Sequence, residues 1–152
     1  MVREMKGDIL SIEQGMICHQ VNCMGKMGAG IALGIRRKHP VVYEAYMEAF
    51  KTKQLFLGYA HFVAVTSTLA VANLCGQYGY GRTGLYTNYD AVRLCLQAVA
   101  SVTATTGQQV YIPKGMGCSL AGGDWNVVSS IIEETVPSAI VVDYNQPKTW
   151  RR

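Results

Sequence analysis

Residues 18–35, CHQVNCMGKMGAGIALGI, constrain the fold more than any other part of this chain. The brief apolar run 15–18 that leads into them is of the kind that forms a buried strand, and His19, Gln20 and Asn22 follow at its end. Polar side chains there point at something beyond the core. Gly25, Gly28 and Gly30 then space a turn whose backbone N–H groups can approach a ligand closely, before Ile31 and Ile35, at i and i+4, open a helix. The N-terminus of such a helix favours an anion such as a phosphate. Taken alone, the pattern fits either a structural strand-turn-helix corner or an anion cradle. It is not GxGxxG and no GKS or GKT follows, so neither the dinucleotide fingerprint nor the P-loop applies.

The remaining chain alternates strand-type and helix-type segments. Residues 2–5 read as an edge strand, and Gly7-Asp8-Ile9 turns it into a loop carrying one carboxylate. His39-Pro40 ends the first helix, and Val42, Tyr46 and Phe50 mark the inner face of a second. Residues 55–66 and 69–74 read as strands. The loop 76–82, GQYGYGR, suits either a rigid surface loop or one wall of a cleft, which leaves the roles of Tyr80 and Arg82 open. Thr87-Asn88-Tyr89-Asp90 has the T-x-x-D form of a helix start, with Ala91, Leu94, Cys95, Ala98 and Val99 as an apolar face and an end near Gly107. A short strand, 109–113, delivers a second glycine-rich loop, 114–123, and Asp124 is suited to cap the helix beginning at Trp125. Residues 139–142 form a last strand, with Asp143-Tyr144-Asn145 at its carboxyl end.

This order predicts a three-layer α/β sandwich, in which ligands bind beyond the carboxyl ends of the strands. At 152 residues, 49% hydrophobic and 16% charged, the chain suits one domain over 1–152. A net charge of +4 is too mild to identify a nucleic-acid binder, and Arg36-Arg37-Lys38 suits a helix C-terminus. Five widely spaced cysteines without CxxC read as reduced thiols of a cytoplasmic protein and argue against a bound metal. No signal core or membrane-length apolar run is present in the sequence. Cys23 and Cys118 lie in or beside the glycine loops but read as buried thiols rather than nucleophiles.

Two glycine-rich strand-to-helix turns suggest a clamp for an extended anion such as a diphosphate, held by backbone amides rather than magnesium. Tyr144 offers a face for stacking on a base, and Asp8 an acceptor for an exocyclic amine. An adenine nucleotide with two phosphates fits both.

Gly7-Asp8-Ile9, His19-Gln20-Val21-Asn22-Cys23, Met27-Gly28-Ala29-Gly30-Ile31-Ala32 and the run 117–125, GCSLAGGDW, together resemble the macrodomain pattern. The likeness spans nearly the whole chain. It is strongest toward the branch that holds the yeast-type ADP-ribose-1''-phosphate phosphatase and the terminal ADP-ribose glycohydrolase. The resemblance implies a mixed central sheet and an ADP-ribose pocket needing no cofactor. Asp8 would then meet the adenine amine beside the Ile9 backbone, and Gly28, Ala29, Gly30 and Ile31 would line the diphosphate and distal ribose. Gly117, Cys118, Ser119, Leu120, Ala121 and Gly122 would close over the phosphates, and Tyr144 or Asn145 would border the adenine. Asn22 falls where the family places a residue near the distal ribose, and His19 matches a histidine found at this point in the phosphatase branch.

The leading expectation is therefore a metal-independent hydrolase that converts ADP-ribose-1''-phosphate to ADP-ribose and phosphate. Loop amides would neutralise charge and His19 would donate or accept the proton. The alternatives are a glycohydrolase that frees ADP-ribose from protein or nucleic acid and a non-catalytic ADP-ribose reader. The resemblance weakens the glycohydrolase reading, because Ala121 stands where the terminal glycohydrolase has an aspartate and no lysine occurs between Lys53 and Lys114. A monomer that does not engage membranes completes the expectation.

Overall fold

The structure is a computed structural model and describes residues 2–144. The expected Asn145 therefore lies outside the described residues. Six strands form one sheet in the order β1-β6-β5-β2-β4-β3. β1 (Arg3–Lys6), β6 (Ile140–Asp143), β5 (Val110–Pro113), β2 (Gly15–Val21) and β4 (Leu69–Cys75) run parallel, and β3 (Ala60–Ala64) closes one edge antiparallel to β4. The sheet is mixed, as expected. β2 is central and reads MICHQV with hardly an exposed position, as a parallel strand covered on both faces must.

Side chains of β2 alternate between two cores. Met16 and Cys18 join Leu74, Leu96, Ile112 and Val128 beneath α3 (Tyr89–Thr106) and α4 (Trp125–Thr135). Ile17 and Val21 join Ile35, Val42, Tyr46 and Val71 beneath α1 (Gly30–Lys38) and α2 (Pro40–Lys51). Three layers result. Among the described residues, no helix is long and apolar enough to cross a membrane.

Several boundaries differ from the sequence expectation. β2 runs three residues past Cys18, so His19 and Gln20 are strand residues with opposite facings rather than a shared polar end. The 55–66 segment contributes only its second half as β3, because residues 56–58 turn and Gly58 takes φ +94°. Asn88, not Thr87, caps α3 by accepting from Ala91 N at 2.9 Å, and Gly107 ends that helix in the left-handed conformation at φ +72°. Leu94 of the expected α3 face is exposed. Phe50 is 39% exposed and lies beneath Gly25 instead of entering the core.

Candidate functional site

The two glycine loops leave the carboxyl ends of neighbouring strands, β2 and β5, and so face each other across one cleft. β2 has β4 on one side and β5 on the other, the kind of switch point where open α/β sheets leave a crevice. One lobe, about 380 Å³, is walled by Ile9, Ala29, Gly30, Ile31, Gly117, Ser119, Leu120, Asp143 and Tyr144, with His19 and Gln20 at its floor. A second lobe, about 410 Å³, is walled by Asn22, Lys26, Gly28, Tyr80 and Arg82. Gln20, Ala29, Ala32, Gln77, Leu120 and Ala121 border both lobes, which makes them two ends of one groove.

Backbone chemistry along the groove suits an anion. α1 begins at Gly30 with Ala29 as its N-cap, and no side chain caps it, in contrast to α3 and α4, which Asn88 and Asp124 cap. Its first N–H groups therefore face the groove unsatisfied. In the second loop, the amides of Met116, Cys118, Gly122 and Gly123 are taken up by Pro113, Gly115, Ser119 and Gly117 oxygens. Those of Gly117, Ser119, Leu120 and Ala121 meet no acceptor among the described residues. Lys114 is held at the rim by Glu4 at 3.0 Å and Asp143 at 3.8 Å.

Three other expected residues, Asp8, Cys118 and Gly122, line neither lobe. Asp8 caps the short 3-10 turn Ile9–Ser11, with Oδ1 accepting from Leu10 N at 3.0 Å, and the groove wall begins at its neighbour Ile9. Cys118 and Gly122 support the second loop from behind. The Cys118 thiol donates to Met116 O at 3.3 Å, and Gly122 packs against the Gly84 carbonyl. Burial and the nearby Asp124 carboxylate push the Cys118 thiol up to about 11.

His19 and Asn22, both expected at the site, have different surroundings. His19 points to the α1/α2 face, is 1% exposed, and has Nε2 2.5 Å from Asn73 Oδ1. Asn73 Nδ2 in turn donates to His61 Nδ1 at 3.2 Å, so His19 is the neutral Nε2–H tautomer and its Nδ1 has no protein partner. Burial pushes its pKa down to about 4, only partly countered by Asn73. A neutral ring with an unpartnered Nδ1 suits the base half of the donor-or-base role expected of His19.

Asn22 is committed to a turn. Its Oδ1 accepts from Met24 N at 3.0 Å, Lys26 N at 3.3 Å and Tyr46 Oη at 2.9 Å, while Nδ2 donates to Lys26 O at 2.9 Å. Tyr46 Oη also lies 2.6 Å from Asn22 O. The side chain shapes the segment that presents Lys26 to the second lobe. Tyr46 was visible in the sequence only as a helix-face residue, and its hydroxyl was the unused signal.

Sequence reasoning also missed Gln77 and Asp143 as parts of the groove. The loop 76–87 folds over the second glycine loop through Tyr86 N to Ala121 O at 2.7 Å and Thr87 N to Ala121 O at 3.2 Å. It thereby becomes a wall, and Tyr80 and Arg82, whose roles the sequence left open, line the second lobe.

A three-layer α/β fold with an amide-lined groove at the strand ends is an arrangement suited to an anion. No protein-family model matches the sequence. The fold matches a protein of unknown function from Bacteroides thetaiotaomicron at 35% identity and TM-score 0.85, over 95% of this chain and 97% of that one. It also matches a macrodomain protein from Streptomyces coelicolor at 28% identity and TM-score 0.80, over 97% of this chain and 100% of that one. Among curated proteins, DNA ADP-ribosyl glycohydrolases of Mycobacterium bovis and Mycobacterium tuberculosis are 36% identical over 58 residues. That match spans 38% of this chain and 16% of those proteins. The chain has the macrodomain fold.

Proposed function

We propose that the groove binds ADP-ribose end to end and that the protein hydrolyses ADP-ribose-1''-phosphate to ADP-ribose and phosphate. The adenosine end takes the first lobe, against Ile9 and Tyr144. The diphosphate lies over the uncapped start of α1 and the amides of the second glycine loop. The distal ribose sits where the lobes join, and its C1'' substituent enters the second lobe. The observation that carries this reading is the continuity of an amide-lined groove with a lobe holding two cations, Lys26 and Arg82. Cations there stabilise the charge of a departing phosphate, while His19 lines only the first lobe. Asn22 acts by holding Lys26 in place.

A second reading is removal of ADP-ribose from a modified nucleic acid. It is favoured by Tyr80, 49% exposed and lining the same lobe as those cations, since exposed aromatics and positive charge suit stacked bases and phosphates. The partial match to DNA ADP-ribosyl glycohydrolases supports it independently.

One assay separates the readings: wild-type protein and Lys26→Ala/Arg82→Ala are given ADP-ribose-1''-phosphate or an ADP-ribosylated single-stranded oligonucleotide. The expected result is phosphate release by wild type, falling about tenfold or more in the double variant, while calorimetric ADP-ribose affinity changes less than about threefold. Release from the oligonucleotide alone establishes the second reading and overturns the first. Binding of ADP-ribose over AMP and NAD, without turnover of either substrate, identifies a reader.

A further inference from the structure

Gln20, at the penultimate position of β2, borders both lobes and links β2 to the 76–87 loop at their seam. Its Nε2 donates to Gln77 Oε1 and to Thr87 Oγ1, each at 2.9 Å. Thr87 passes the connection on, its hydroxyl donating to Gly117 O at 2.6 Å. Gln77 Nε2 donates to Gly79 O at 2.8 Å, and Gln77 and Thr87 are bridged to each other. A chain of bonds from this amide through Thr87 thus ties β2 to the 76–87 loop and on to the second glycine loop, beside the Tyr86 and Thr87 amide bonds to Ala121.

The packing around its oxygen is equally specific. Oε1 is buried and has no hydrogen-bond partner, and a Cβ at either Gly76 or Gly117 would come within 2.6 Å of it. Gly76 has an ordinary φ, so a side chain added there would be met by the Gln20 amide rather than by backbone strain, and the amide would have to shift. An unpaired buried carbonyl costs stability that the core does not require. The arrangement is explained if this amide sets the gap between the loops.

We infer that Gln20 is a positioning residue that holds the two lobes in register, so that the groove reads a two-part nucleotide as one extended ligand. This rests on the ADP-ribose reading for its ligand but not for its geometry. A nucleotide confined to the first lobe depends on that register less than one that spans the seam.

The test compares ADP-ribose and AMP by calorimetry on wild type, Gln20→Met, Thr87→Val and the double variant. Gln20→Met keeps length and volume but removes both donors. Affinity for ADP-ribose is expected to fall about tenfold further than affinity for AMP, with the double variant no worse than the stronger single one because both break one chain of bonds. Equal losses for the two ligands, or additive losses, overturn the inference. Failure of wild type to bind ADP-ribose sinks the functional reading alone. Hydrogen exchange on the ligand-free protein then decides: faster exchange at Tyr86, Thr87 and Gly123 with β4 and β5 unchanged supports a positioning role, and unchanged exchange at those amides refutes it.

Discussion

At the scale of single residues, the histidine of the groove is defined by burial. The folded pKa of His19, about 4, lies below its ordinary 6.5, so the unfolded chain binds a proton that the native state excludes. Its contribution to stability is complete above pH 6.5 and is lost as pH falls toward 4, by roughly 3 kcal/mol at most. His39 and His61 are lowered as well, both chiefly by burial, and act in the same direction. Urea denaturation at pH 7 and pH 4.5 should show this loss, and His19→Gln should flatten it; an unchanged pH dependence in that variant would contradict the assignment. Tyr46 makes the second residue-level prediction. Tyr46→Phe removes the hydroxyl from Asn22 and should cost about 1–2 kcal/mol by denaturant titration, with no change in the slope of the transition.

At the scale of elements, helix ends divide into those that stabilise and those that are left open for a ligand. Asp124 caps α4 by accepting from Asn126 N at 2.9 Å, as its place after the second glycine loop predicted. Asp124→Ala should therefore lose about 1 kcal/mol, whereas Asp124→Asn stays within about 0.5 kcal/mol of wild type. Thermal melts measure both, and ADP-ribose affinity should be the same in wild type and Asp124→Asn because Asp124 borders neither lobe. A selective loss of affinity in Asp124→Asn would mean that the carboxylate reaches the ligand. Helix starts were legible because a capping side chain sits within three residues of the amide it serves. Even so, adjacent candidates compete: Thr87 looked like the cap of α3, but its hydroxyl is spent on Gly117 and Asn88 does the capping.

At the scale of the whole molecule, two cores on either face of one sheet account for the cysteines. Cys18, Cys75 and Cys95 are buried, and desolvation raises all three thiols, Cys95 to about 12. A thiol reagent should modify half-buried Cys118 first and the other thiols only at the rate of global unfolding; fast reaction of the buried set in native protein would refute this packing. The alternation of strands and helices, the two glycine loops and the apolar run of β2 were all readable in order, because hydrophobic period, turn chemistry and capping are local properties. Proximity across the sheet was not readable. The strand order that puts β5 beside β2, the folding of 76–87 onto Ala121, the burial of His19 against Asn73 and the use of Gln20 as a tie all join residues tens of positions apart. Sequence alone determined which segments could cradle an anion. Only tertiary packing decided which side chains remain available to a ligand, because a polar group's partners, and hence its charge and freedom, come from whatever the fold lays against it.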